Sequence, residues 1–464
     1  MAEERGGAWG GITRAWHRSC ALRGAVYLLL AVIILGGVPW AYAYWRTERE
    51  LAAELERIEQ SGDPMTLAEM APQPVPDDQN AAVLYQQVFR VDLRPDAEDR
   101  ESVLAATGWS ELVEVDYLTG AVSDDMVRPA LEDPTVARAL ETLRRASQRP
   151  HCVFEIDWTR GSQIVFPHYM HEATRWLAAR ARLCTHDGEI DEALGWYRVI
   201  LRMSEHAAAE PLLSSALFAC SSQTIALGHA RETLARGTPS PAAARSMIEY
   251  LRTVNRQRSF LHAMLGERAQ AIDLIRETRQ HPETVREILG SNSSGIQNVV
   301  LWLYMSRLGR PLLNAYAVAY LRELSREIEA VRTVADRRVL YRGVHPPEEE
   351  LTPLSLVFIG ATSRAAKISD AAAAELDLFE VVLALKIHRQ QHGEYPVDLS
   401  QLQTAVDYDL PPDVFTGKPL HYRRHGDGFV VWSVGKDLDD DGGHGPREPG
   451  YDWDDCDVVW RCER

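Results

Sequence analysis

What this chain has little of sets the first bounds. Its 464 residues include only six cysteines (Cys20, Cys152, Cys184, Cys220, Cys456 and Cys462), none in a C-x-x-C pair, so neither a zinc ribbon nor a dense disulfide framework is indicated. Cys456 and Cys462 are the nearest pair, but the intervening DVVWR reads as a strand. Six extended steps hold the two Cα atoms about 20 Å apart, far beyond disulfide reach. Positive charge is also short: 50 Lys and Arg against 67 Asp and Glu leave a net charge of -17. That balance argues against general affinity for polyanions, nucleic acid included, and against docking on an anionic membrane surface through charge. The motifs G-x-S-x-G, G-x-G-x-x-G, the P-loop and H-E-x-x-H are all missing, so no familiar catalytic signature organises the chain.

What is there begins with apolar residues at the N-terminus. From Gly24 to Trp45 the sequence GAVYLLLAVIILGGVPWAYAYW carries no charge over 22 residues. As a helix it spans about 33 Å, enough for the hydrocarbon core of a bilayer. Trp40, Tyr42, Tyr44 and Trp45 cluster at its far end, where amphipathic rings favour the headgroup layer. Pro39 is expected to kink the last turn without abolishing the span. Ala41 and Ala43 form the A-x-A pattern of a cleaved secretory signal, but the length of the run and of the lead before it favours a retained anchor. Residues 1–23 are then expected in the cytoplasm, with most of the chain on the extracytoplasmic side.

Beyond the anchor, residues 46–80 read as a charged helical stalk, TERELAAELERIEQ, followed by a Pro-rich linker, APQPVPDDQN. Residues 81–345 read as a mainly helical domain, with CVFEIDW (Cys152 to Trp158) a lone strand or extended link. Trp176, Leu177, Ala181 and Cys184 share one helix face, and Ile190, Ala193, Leu194, Tyr197 and Leu201 share another across a turn at Gly188. This hairpin resembles a tetratricopeptide unit in its Gly188, Ala193 and Tyr197, but no second copy follows at that period, so an irregular bundle is expected. A helix runs from Leu212 to about Arg236, and Ser240 is placed to cap another that begins at Pro241. The run VVLWLYMSRLGRPLLNAYAVAYL holds Arg307 and Arg310 near its centre, which marks it as a core helix rather than a second span.

Residues 346–369 read as a linker, and residues 370–464 as an α+β domain: an apolar helix ending near Gly393, then strands on either side of a turn at HGDG. The ordered series HGEYP, PPDVFTGKPLHYRR, GDGFVVWSVGKD, an acidic glycine-rich loop and DCDVVW resembles the globular domain of the major pseudopilin of type II secretion. The resemblance covers about residues 370 to 460. It implies a helix packed on a small antiparallel sheet and a calcium-binding loop, with Asp437, Asp455 and Asp457 in the place of the loop acids. Asp439 and Asp441 are further candidate ligands. The membrane run lies more than 300 residues upstream of this domain, and no prepilin-peptidase site precedes it, so a pilus role does not follow.

Spacing alone also matches an EF-hand loop, with Asp437, Asp439, Asp441, Gly442 and Glu448 as D-x-D-x-D-G-x5-E. The strand-like flanks and Pro446 argue against that fold. Nine acids lie between Asp437 and Asp457, with Arg447 the one Lys or Arg among them, so without a cation the segment repels itself. The expected protein is thus a single-pass membrane protein of α+β class, using a helical scaffold and a calcium-stabilised domain to engage envelope proteins. Two other roles remain open. One is an envelope enzyme using Asp157, His168 or His171; the other is an accessory part of a secretion or pilus-like assembly.

Overall fold

A computed structural model describes residues 20–89, 102–158, 166–254, 256–281, 306–332, 353–406, 409–445 and 456–462. Among them the α-helices are α1 (Cys20–Val32), α2 (Val38–Gln60), α3 (Ala82–Phe89), α4 (Asp124–Glu132), α5 (Pro134–Ser147), α6 (Phe166–His186) and α7 (Ile190–Ala208). They continue with α8 (Leu213–Arg236), α9 (Pro241–Thr253), α10 (Arg256–Gln280), α11 (Arg310–Arg332), α12 (Pro353–His392) and α13 (Ser400–Val406). Strands β1 (His421–His425), β2 (Gly428–Ser433) and β3 (Val458–Cys462) form one antiparallel sheet in that order. The class is α+β, mainly helical. Two compact units divide the chain, Met1–Gly62 with Ile275–Arg322, and Asp63–Leu274 with Glu323–Arg464.

In the first unit, one helix among the described residues, Tyr27–Gln60, is long and apolar enough to cross a membrane. Its apolar side chains stand exposed, Leu35 to 76%. In the turn before Pro39, residues Ile33–Gly37 form a π-helical stretch. Proline offers no N–H to the carbonyl four residues back, and the Gly36–Gly37 pair resists little, so the ladder widens there. The charged turns after the apolar run are packed rather than free. Leu51, Glu54 and Ile58 are buried, and Glu48 accepts from Arg279 at 2.5 Å and from Asn314 at 3.0 Å.

In the second unit the α6–α7 hairpin forms as its sequence implies. Gly188 turns it at φ +80, and Tyr197 reaches Thr233 of α8 at 2.8 Å. Ser240 caps α9 through Ala243 N, with Pro241 opening the helix. Cys152 to Trp158 forms no strand: Val153 N donates to Asn80 Oδ1 at 2.9 Å, and Ile156 N turns back on Phe154 O at 3.0 Å. The expected linker at 346–369 is a correction: α12 already begins at Pro353. From Leu376 to Ile387 its apolar side chains are buried on every face, and a helix apolar all round must be covered on all sides. Helices α8 and α9 cover one side and strands β2 and β3 the other. One hydrophobic core therefore runs from Tyr85 and Phe89 through Trp176 and Phe379 to Phe429 and Trp460.

The charges on α12 are satisfied within that packing. Arg231 of α8 pairs with Glu375 at 3.4 Å, donates to Val459 O at 2.6 Å and lies 4.3 Å over the Trp460 ring. Arg252 of α9 meets Glu380 at 3.2 Å, and Lys386 donates to Leu234 O at 2.7 Å. Close packing elsewhere depends on a missing side chain: a Cβ on Gly266 of α10 would stand 1.8 Å from Pro211 O. Gly266→Ala is therefore expected to destabilise the protein by about 1–3 kcal/mol of overpacking, despite the roughly 1 kcal/mol that alanine gains in a helix. Chemical denaturation checks this, and a more stable variant would contradict the close approach.

Candidate metal centre

The centre is built where the sheet needs a cover. Strands β1 and β2 meet through the two-residue turn Gly426–Asp427, with Gly426 at φ +55. Every residue of β2 is buried. One face of the sheet looks onto α12 and Tyr395, with Phe379 against Trp460 at 5.6 Å and Tyr395 against Phe429 at 4.7 Å. On the other face Val430, Trp432 and Val459 form a separate cluster. The acidic loop that follows β2 closes over it: a Cβ on Gly443 would lie 3.1 Å from both Trp432 and Val430, and one on Gly445 3.3 Å from Val459.

That close cover dictates the loop's backbone. Gly435 at φ +72 passes so near β3 that a Cβ would lie 2.4 Å from Cys456 O. Leu438 takes φ +66, a left-handed conformation that costs a side-chain-bearing residue about 1–2 kcal/mol; the packing of its side chain on the core offsets this. The anchor is Asp457, fully buried just before β3. Its carboxylate accepts from Gly443 N at 2.8 Å and Asp441 N at 3.4 Å, while its own N–H donates to His444 O at 3.2 Å. Arg461 and Arg423 hold Gly443 O and Gly442 O at 2.5 and 3.2 Å.

Asp437, Asp439 and Asp441 lie exposed on this loop, and Asp439 N donates to Asp437 Oδ1 at 3.2 Å. Desolvation lifts the Asp437 carboxyl above its usual range, and the charges of Asp441 and Asp439 lift it further. Burial likewise raises Asp457, with Asp440 and Asp441 adding to it against the two amides. The Cys456 thiol is raised by burial and by Asp437, Asp441 and Asp457. Four expected ligands, Asp437, Asp439, Asp441 and Asp457, therefore sense one another's charge directly or through a shared neighbour. Asp455 and the Glu448 of the EF-hand spacing lie outside the described residues. The loop joins antiparallel strands, not the helices of an EF-hand. Among the described residues no three His, Cys, Asp or Glu side chains gather closely enough to hold a metal ion. The expected ligands offer carboxylate oxygens, a donor type that suits a hard divalent cation rather than zinc.

Two further acids carry the architecture and escaped the sequence reading. Asp440 accepts from Trp432 Nε1 at 2.9 Å and Gly442 N at 3.0 Å, and faces His421 at 3.4 Å; the indole N–H first of all holds its carboxyl below the usual range. Asp413 is buried and accepts from Phe415 N, Thr416 N and Val434 N at 2.7, 3.2 and 3.1 Å, tying PPDVFTG to the end of β2. An aspartate followed by a turn glycine four residues on was the available signal for Asp413. As for the enzyme candidates, Asp157 is exposed, His171 packs edge-on against Phe218 at 6.0 Å, and the His168 side chain is outside the described residues.

A pH test follows from the raised carboxyls. The folded chain binds protons at Asp437 and Asp457 more tightly than the unfolded chain does. Their contribution is thus present below the unfolded range of about 4 and is lost as pH rises through the raised folded values. In EGTA, the melting temperature of Asp457→Asn relative to the parent should rise as pH is raised from about 4 to 7, since the variant sheds the charge at the pH-independent cost of one of the two amide bonds. A difference that does not move with pH would mean that Asp457 bears no such strain.

No protein-family model matches this chain, and neither a curated protein nor a solved structure matches it.

Proposed function

We propose that this is a membrane-anchored, exported protein in which a calcium ion orders the C-terminal sheet, and that the helical scaffold and sheet together present a surface to envelope proteins. The observation that supports it most is Asp457, a fully buried carboxylate spent on holding a loop of like charges. Calcium bound by Asp437, Asp439, Asp441 and Asp457, with Asp455 a further candidate, would supply the positive charge that this arrangement lacks. Its role is structural: it neutralises the loop that covers Val430, Trp432 and Val459. Order of motifs, the sheet and the loop between its last two strands support the pseudopilin-like reading of this region; the distant membrane run speaks for another biological role than a pilus.

Loose exported sites bind calcium at about 10⁻⁴ to 10⁻³ M. With a dissociation constant of about 10⁻³ M, roughly 10 mM calcium adds about 1.4 kcal/mol by mass action. Calcium titration of the full chain should raise its melting temperature by a few degrees, reversibly with EGTA, and Asp437→Asn with Asp441→Asn should abolish the rise. An EGTA-insensitive parent would sink the calcium reading.

For the anchor, the uncharged run from Gly24 to Trp45 and its exposed apolar surface are the support. The full-length chain should stay in the membrane pellet after alkaline carbonate extraction, and external protease should reach the sheet-bearing unit in cells with a permeable outer boundary. Release into the soluble fraction with a new N-terminus near Ala43 would show a cleaved signal instead.

A further inference from the structure

In the first unit a second element runs beside the membrane helix. Trp40 Nε1 donates to Leu308 O at 2.8 Å, and Glu48 accepts from Asn314 at 3.0 Å. The two ties lie eight residues apart on α2, about 12 Å of helix, and six residues apart on the partner. The stretch from Leu308 to Asn314 therefore travels along α2 in the same direction, and its start lies toward the membrane. Arg310 fixes it further by donating to Arg279 O at 3.0 Å, while Arg279 itself holds Glu48. At the level of Trp40, Leu308 stands about five helical residues, roughly 7 Å, inside Trp45, the last residue of the uncharged run.

At that depth two leucines stand exposed, interspersed with Arg307 and Arg310. Gly309 N closes a turn on Ser306 O at 3.1 Å, leaving Leu308 58% and Leu312 46% exposed. Trp40 stacks on Tyr44 at 5.5 Å. An indole at the edge of a bilayer needs an acceptor for its N–H, and here that acceptor is the Leu308 carbonyl. Arg307 is exposed beside it, with a side chain long enough to reach up to the headgroups.

We propose that the Ser306–Leu312 turn is a second membrane contact, in which Leu308 and Leu312 enter the lipid interface beside Trp40 without crossing the bilayer. The occupant is the phospholipid bilayer, because the surface is continuous with the apolar face of the helix that reaches it. The contact rests on the reading of Gly24 to Trp45 as an anchor. It would fix the tilt and rotation of the first unit on the membrane, which a lone helix leaves free.

The test places the photoreactive amino acid p-benzoyl-phenylalanine at Leu29, Leu308 or Glu59 of the full chain, expressed in native membranes and illuminated, with lipid adducts read by mass spectrometry. Leu29 lies within the uncharged run, and Glu59 is exposed near the far end of α2. Leu308 should give lipid adducts within about threefold of Leu29 and at least about tenfold above Glu59, as an interfacial apolar side chain does. Adducts at Leu29 with only the Glu59 background at Leu308 would overturn the second contact and leave the anchor standing. A protein adduct at Leu308 in place of the lipid one would overturn it as well. Background labelling at all three positions would remove the anchor, and the contact with it.

Discussion

The second unit depends on the burial of α12 on every face. A helix with Leu376, Leu378, Phe379, Val381, Val382, Leu383 and Leu385 all around its circumference cannot rest on the surface of a bundle. It must lie between two layers, and here they are α8 and α9 on one side and the small sheet on the other. A small sheet needs an apolar face packed against something to be stable; set on α12, these strands complete its cover and share its core. Arg231 joins all three layers, touching Glu375, Val459 O and the Trp460 ring. Its burial lowers its affinity for a proton, while Glu375, raised by its own burial, offsets that as the counter-charge.

The sheet then has a second face to protect, and this gives the acidic loop its place. Glycines at 443 and 445 let the backbone lie directly on Trp432, Val430 and Val459. The same segment carries the run of aspartates, so the cover for an apolar cluster is also the most negative stretch of the chain. Asp457 and Asp440 turn part of that charge into architecture by accepting backbone amides and an indole N–H. The exposed Asp437, Asp439 and Asp441 remain mutually repelling, and a hard cation is the proposed answer to that cost. In the first unit a comparable economy holds at the apolar end of α2, where Trp40 finds its acceptor on the turn at Leu308.

The sequence by itself determined the elements whose signals are local. The uncharged run at Gly24 to Trp45, the Ser240 cap with Pro241, the Gly188 turn and the Gly426–Asp427 hairpin all depend on residues within a turn or two of one another. The acids of the loop were legible as a cluster, because repulsion among neighbours needs only spacing. Their division into roles was not: Asp457 is buried and Asp437 exposed only because β3 passes beneath the loop, 20 residues further along the chain. Asp440 escaped notice because its partners, Trp432 and His421, lie on two different strands. Only tertiary structure decided that the apparent linker at 346–369 belongs in part to α12, and that the sheet and helical region share one core. Side chains around a helix state that it is apolar all round; which elements cover it depends on contacts between residues far apart in the chain, from Phe379 with Trp460 to Arg231 with Glu375, and local pattern carries no record of those.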